Sequence, residues 1–325
     1  MTATTAKALG LVILAVVALA LPWFVYPVFL MQALCMALFA CAFNLLLGYG
    51  GILSFGHAAF LGGPAYICAH AAKVWGFPTE LALLAGVAAG GFLGLIYGIL
   101  AARQRGIYLA MVTFALAQMV YFIAVQAPFT GGEDGIQAIP RGKFLGIVDL
   151  TPLLHMYYFV LGTFTLALLL IYRIIHSPFG QVLRAMRDNE QRAISLGYRT
   201  SFYKVAVFVM SGAFSGLAGG MKSLVLGIAT LADVYWHVNG EVILMTLLGG
   251  LGTFFGPVVG AFLVVMMQNY LAEFGAWVTI IQGLTFVVFV MAFRSGIVGE
   301  LGPVVARLFA RWQESRPVRK PVLDG

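Results

Sequence analysis

Long apolar runs constrain this chain more than any other feature, because a water-facing surface cannot hide them. A helix needs about 20 mostly apolar residues to cross the ~30 Å hydrocarbon core of a bilayer. Ten runs read as such spans: 8–27, 28–47, 51–72, 80–101, 106–126, 155–176, 203–227, 241–254, 257–272 and 276–294. Pro22 and Pro27 divide the first two, and Gly249, Gly250, Gly252, Gly256 and Pro257 divide the eighth and ninth. Those two are short enough to be half-helices or a re-entrant pair, which lipid tolerates only where protein or a water-filled cavity covers the backbone. Composition agrees: the chain is 62% hydrophobic and 10% charged, whereas soluble domains carry about 25% charged residues. A soluble or a disordered chain is excluded. The 39 glycines among 325 residues point to helices packed closely in lipid. The expected fold is an all-α integral membrane protein of about ten transmembrane helices, some broken or short. Residues 1–300 would form the transmembrane domain and 301–325 a cytoplasmic basic tail.

The net charge of +7 comes from residues beside the spans, so it speaks of topology and not of nucleic acid. Ten spans put both termini on one side. Of the 19 Lys and Arg, only Lys73, Arg141, Lys143 and Lys222 then fall on the other. Cytoplasmic loops hold the positive excess, so both termini are expected in the cytoplasm. Lys7, the apolar run after it and Ala18-Leu19-Ala20 also fit a secretory signal, whose removal would leave nine spans in the same orientation. Cys35, Cys41 and Cys68 lie inside apolar runs without a C-x-x-C pair and read as small packing residues.

The most polar internal stretch is Ser177–Phe202, SPFGQVLRAMRDNEQRAISLGYRTSF. Ser177 can cap a helix, Pro178 suits its first turn and Gly197 can stop it. One short amphipathic helix is expected, with Val182, Met186, Ala193, Ile194 and Leu196 on its apolar face and Arg184, Arg187, Asp188, Glu190 and Arg192 wet. It would either lie on anionic lipid headgroups or dock on a cytoplasmic protein. Asp188 and Glu190 among the arginines favour the protein.

In this stretch a family resemblance becomes specific. SPFGQVLRAMRDNEQRAISLGY resembles the coupling loop of permease subunits from bacterial ABC importers of branched-chain amino acids. NLLLGYGGILSFGHAAFLGG from Asn44, RGIYLAMVTFALAQM from Arg105 and VILMTLLGGLGTFFGPVVGA from Val242 resemble further blocks of that family, in the order of its LivM type. The resemblance covers about residues 35–295; the tail after Arg294 departs from it. It implies a type II-like importer permease fold in the bacterial inner membrane, paired with a LivH-type permease chain, two cytoplasmic ATPases and a periplasmic amino-acid-binding protein. It assigns coupling to Arg184, Ala185, Met186, Arg187, Asp188, Asn189 and Gly197. Related permeases for urea and short-chain amides share the same blocks.

The residues themselves suggest no catalytic or metal site. His57 is the one imidazole well inside a span, and no H-E-x-x-H spacing occurs. The acidic residues Glu80, Glu133, Asp134, Asp149, Asp233, Glu241 and Glu273 form no obvious pair at a helix centre, which argues against a proton- or sodium-coupled carrier. Gly216–Ser223 approaches a phosphate-binding loop, but Met221 replaces its second Gly and the segment lies inside an apolar run. ATP and Mg²⁺ would therefore be bound by the partner ATPases, with no cofactor in this chain. Asn44, Ser54, His57, Thr113, Gln118 and Thr246 are candidates for the walls of a translocation path, or else interhelical hydrogen bonders. Gly48, Gly50, Gly51, Gly56, Gly62, Gly63 and Pro64 suggest that the third span is a broken helix. Thr130–Ile136, TGGEDGI, heads a loop too long for a hairpin; Gly131, Gly132, Glu133 and Asp134 are candidates for docking the receptor, or form a solvated turn. A self-sufficient channel or secondary carrier is the alternative from another class.

Overall fold

A computed structural model describes residues 16–275, 277–292 and 296–300. Most of the first apolar run, Lys7, Arg294 and the tail at 301–325 lie outside the described residues. The helices are α1 (Pro27–Asn44, continued by a π-helical turn Leu45–Tyr49), α2 (His57–Lys73), α3 (Thr79–Ala101), α4 (Gly106–Gln126) and α5 (Leu153–Ile175). After them come α6 (Pro178–Asp188), α7 (Glu190–Ser195), α8 (Thr200–Leu226), α9 (His237–Gly249), α10 (Gly256–Tyr270) and α11 (Trp277–Ala292). Five of them are long and apolar enough to cross a membrane: Pro27–Tyr49, α3, α4, α5 and α8.

The remaining runs differ from the sequence expectation, and glycine is the reason. The third run is helical only from His57; residues 50–56 form a non-helical segment, so the break precedes the helix. Pro64 does not break α2. A membrane helix accommodates such a proline when neighbouring helices cover the freed backbone, and Pro64 packs against Gly216 of α8. The eighth and ninth runs form a helical hairpin of 13 and 15 residues. At 1.5 Å per residue these rise only about 20 Å each.

Helix α1 is the axis of the bundle. Its apolar window is 89% buried, against 28–50% in the other four long helices, and α5, α8, α9 and α10 surround it. A helix apolar all round belongs in such a place. Helices α3 and α8 meet along a glycine seam. Gly86, Gly90, Gly94 and Gly98 recur every four residues and so share one face. A Cβ on Gly90 would stand 2.2 Å from the Gly212 carbonyl oxygen, and one on Gly212 would stand 2.3 Å from that of Gly90. Only glycine lets the two backbones approach this closely.

The long loop before α5 is folded. Strand β1 (Ile136–Gln137) pairs antiparallel with β4 (Ile228–Ala229), and β2 (Lys143–Phe144) pairs with β3 (Val148–Asp149). The first pair straps the loop to the turn after α8. The Glu80 carboxylate accepts the Leu145 N–H at the tip of the second pair, and Arg141 donates to the Val225 carbonyl at 2.9 Å. Lys73, Arg141, Lys143 and Lys222 therefore gather at this strapped end, since Lys73 donates to the Gln137 carbonyl. Helices α6 and α7 lie at the opposite end, beside the start of α8.

Candidate functional site

The polar segment between α5 and α8 forms two helices where one was expected. Ser177 caps α6, its hydroxyl oxygen accepting the Gly180 N–H at 3.4 Å, with Pro178 in the first turn. At Asn189 the backbone becomes extended, and the Asn189 side chain caps α7 by accepting the Arg192 N–H at 3.0 Å. Asparagine suits both tasks, since it leaves helical geometry readily and caps the next helix. Gly197, with φ +88°, ends the unit. The apolar face also differs from expectation: Val182, Leu183, Met186 and Ala193 are buried, whereas Ile194 and Leu196 are exposed. Six residues make α7 too short for a continuous stripe, so its apolar residues point both ways.

Several charged heads of this segment are engaged with the bundle and not simply wet. Arg184 donates to the Ile175 carbonyl at 2.7 Å, a cation placed on the free carbonyls at the end of α5. Arg187 donates to the Gly48 carbonyl at 2.5 Å. Its stem and guanidinium fill the space where a Cβ on Gly51 or Gly252 would stand, 2.9 Å away in each case. Glu190 pairs with Lys204 of α8 at 2.8 Å and with Arg105, just before α4, at 3.3 Å. Ala185, Asp188 and Asn189 remain exposed and face away from these contacts.

The segment thus touches both places where apolar runs lose their helix. These interruptions are residues 50–56 and the turn 250–255, and Asn44 ties the second of them to the end of α1. The Asn44 side chain donates to the Thr253 carbonyl at 2.9 Å and accepts the Gly252 N–H at 3.0 Å. Exposed backbone groups at such breaks must find partners, and polar side chains provide them. Ser54 accepts the Gly56 N–H, Thr113 of α4 accepts the Phe55 N–H at 3.1 Å, and Asn239 of α9 accepts the Ala58 N–H at 2.8 Å.

Neither the cavity beside α3 and α5 nor the one between α1, α8 and α9 is lined by any of the six residues considered for a translocation path. Asn44, Ser54, His57, Thr113 and Thr246 are buried, and Gln118 is half-buried on α4. His57 Nε2 donates at 2.9 Å to Ser211 Oγ, whose hydroxyl donates to the Ala42 carbonyl at 2.7 Å. Phe43 and Phe60 stand edge-on to the imidazole, so His57 links α2, α8 and α1. Thr246 donates to its own helix at Val242. Within the loop, Gly131 and Gly132 turn the chain with φ +78° and +60°. Glu133 and Asp134 are exposed, and the buried Thr130 hydroxyl anchors the turn on the Ala124 and Ala127 carbonyls.

Sequence reasoning passed over Asn239 and a charged group at the strapped end. There Lys222 pairs with Asp233 at 2.5 Å, and Glu241 meets His237 and Gln268. Only the His237–Glu241 pair, four positions apart on α9, is signalled by spacing; Asn239 and Ala58, Lys222 and Asp233, and Gln268 and Glu241 come from separate elements. Among the described residues no group of three His, Cys, Asp or Glu converges to hold a metal.

A bundle of apolar helices with two interrupted spans, both held by one polar inter-helix segment, defines a multi-pass membrane protein of the permease kind. Residues 27–291 match the family model described as branched-chain amino acid transport system / permease component, and the chain belongs to that family. It is similar to the high-affinity branched-chain amino acid transport system permease protein LivM of Salmonella typhimurium, 27% identical over 266 residues. It is similar to LivM of Escherichia coli, 26% identical over 264 residues. Each alignment covers 74% of this chain and 62% of the relative. The autoinducer 2 import system permease protein LsrC of Salmonella typhi is 26% identical over 203 residues, 60% of this chain and 56% of that relative. No solved structure matches the chain. The resemblance read from the sequence blocks is thus shown to be to the LivM type.

Proposed function

We propose that the chain is the permease subunit of an ATP-driven importer that passes branched-chain amino acids across the bacterial inner membrane by alternating access. Its partners are a second, LivH-type permease chain, two cytoplasmic ATPases that bind ATP and Mg²⁺, and a periplasmic amino-acid-binding protein. Ten spans with both termini in the cytoplasm put α6 and α7 on the ATPase side and the strapped loop, with Gly131–Asp134, under the receptor. The LivM relatives support the cargo. The observation that carries the mechanism is Arg187, which joins the coupling segment to the backbone at both helix interruptions. Movement of an ATPase against the exposed Ala185, Asp188 and Asn189 is passed through Arg187 to Gly48 and the 250–255 turn, and through Glu190 to α4 and α8. Packed elements with two arrangements transmit such rigid shifts. Asn44, Ser54 and Thr113 act on the path from behind, as holds of the interruptions, while His57 ties the helices beside it and Thr246 and Gln118 belong to its walls.

In the assembled transporter in proteoliposomes, Arg187→Ala should lower substrate-stimulated ATP hydrolysis and uptake about tenfold, the weight of one charge-assisted hydrogen bond. Receptor binding should stay intact. Normal transport by this variant would leave α6–α7 as a lipid anchor only. The relatives named for autoinducer 2 import favour a second reading in which the cargo is that signal, and the blocks shared with urea and short-chain amide permeases favour small polar cargo of that kind. Competition of leucine uptake by such compounds decides the cargo. Uptake by vesicles holding this chain alone, without ATPase, would instead establish a channel or carrier.

A further inference from the structure

The strapped end contains a cavity of about 340 Å³ that no coupling or docking residue lines. Four parts of the fold meet in it: α1, the end of α8, the turn after β4, and the α9–α10 hairpin. Lys222 brings a positive charge to its wall, and Asp233 and Glu241 bring two carboxylates. The Lys222 ammonium spends one donor on Asp233, and an ammonium has three. Glu241 receives Gln268 at 2.8 Å and faces His237 at 3.4 Å, both through Oε1, and a carboxylate has a second oxygen to offer. Met36 and Val238 supply buried apolar wall beside these charges.

Half-buried ion pairs contribute little to stability, so the grouping of such pairs around open space asks for a further role. A fixed cation, a fixed anion and an apolar wall are complementary to a molecule carrying the opposite three features. A ligand with only one ionic arm would cover the other site group without using its remaining hydrogen-bonding capacity, which is how such sites discriminate. We propose that this cavity binds a zwitterionic amino acid with an apolar side chain, its ammonium on Glu241 and its carboxylate on Lys222. The site rests on the transport reading for its purpose: cargo released beneath the receptor would meet it before entering the bundle.

A thiol reporter tests occupancy without relying on transport. Cys35, Cys41 and Cys68 are buried, whereas Ala232 is exposed at the rim. In the reconstituted transporter carrying Ala232→Cys, leucine should slow labelling by a charged methanethiosulfonate. Isopentylamine and 4-methylpentanoate, which keep one ionic arm each, should need about tenfold higher concentration for the same protection. Adding Glu241→Gln or Lys222→Met should abolish the leucine effect. Tyr235→Cys, also on the rim, serves as a second reporter should the first assemble poorly. Labelling that leucine leaves unchanged, in a preparation that imports leucine, overturns the site alone. Equal protection by all three compounds overturns its zwitterionic character. Leucine protection in a preparation that hydrolyses ATP but imports no amino acid supports the site and overturns the transport reading.

Discussion

Helices α3 and α8 on one side, and the α9–α10 hairpin against α1 on the other, both use glycine to bring backbones together, yet they are held in opposite ways. Along the α3–α8 seam the contact is shape alone. Gly90 and Gly212 each occupy the space that the other's Cβ would need, and Gly94 lies in the same relation to the Phe208 carbonyl. Interfaces of this density have no intermediate arrangement, so the two helices move as one body. The hairpin is close-packed at Gly249 and Gly260, but its turn is held to α1 by polar side chains: Asn44 bonds to it, and Arg187, bonded to Gly48, packs against Gly252. Each of those bonds can be exchanged for another partner or for water. Rigid halves joined by a polar latch are what a hinge or shear movement requires.

The contrast is broken most directly at the seam. Gly212→Leu should abolish assembly, because the new side chain meets the Gly90 carbonyl of a full-length helix that cannot yield. Overpacking commonly costs about 1–3 kcal/mol, and here backbone and not a flexible side chain is struck. Loss of the monodisperse peak in detergent checks it; a well-behaved protein would show the seam to be loose. Next in size, Asn44→Leu removes both bonds to the turn and leaves the Gly252 N–H and Thr253 carbonyl unpaired. A buried polar group left unsatisfied costs about 1–3 kcal/mol. Thermal unfolding should fall accordingly, and amide exchange over residues 250–255 should rise while the α3–α8 seam stays protected. Uniform loss of protection would mean that hinge and seam are one unit.

Seam and latch also differ in how far they could be read in advance. The spacing of Gly86, Gly90, Gly94 and Gly98 is local, so a close-packed face is visible in the sequence, though not its partner. The long spans are equally local, because length and apolarity define them. Asn44 and Thr253 are separated by 209 positions, and no periodicity links them. The third run shows how a strong local signal can mislead. Pro64 is the usual helix breaker, yet the break falls at 50–56, where Ser54, Thr113 and Asn239 can satisfy the freed backbone. The segment 177–202 is legible in position, in its Ser177 cap and in its Gly197 stop, but its division at Asn189 and the targets of Arg184, Arg187 and Glu190 depend on the packed bundle.

Glu190 sharpens the comparison on the latch side with a smaller effect. Lys204 is almost fully buried in this pair while Arg105 is half-exposed, so the two bridges should respond differently to salt. Glu190→Gln should reduce stability by about 1–2 kcal/mol, because the buried Lys204 ammonium loses its charge partner while the amide oxygen can still accept from it. Raising the ionic strength should mimic the loss at Arg105 but not at Lys204. The Lys204→Met and Arg105→Met backgrounds, each with Glu190→Gln, separate the two in double-mutant cycles of thermal stability.

The smallest effect belongs to the strapped end, where pH reaches a surface hairpin and not the bundle. Asp149 accepts the Thr151 hydroxyl at 2.6 Å and the Thr151 N–H at 2.9 Å, and Lys143 lies opposite it across the β2–β3 pair. These hydrogen bonds, the hydroxyl first, hold its carboxyl below the ordinary carboxylate range. A group depressed in the folded state stabilises above its unfolded pKa, and that contribution is lost as pH falls through the folded value. Acidification below the usual carboxylate range should therefore speed exchange of the Thr151 amide and loosen β2–β3, while the seam and the latch stay unchanged. Thr151→Val removes the larger cause and should move the transition to higher pH. A profile that does not shift in this variant would assign the hairpin's acid response to the backbone N–H at position 151 and to the charges of Lys143 and His155.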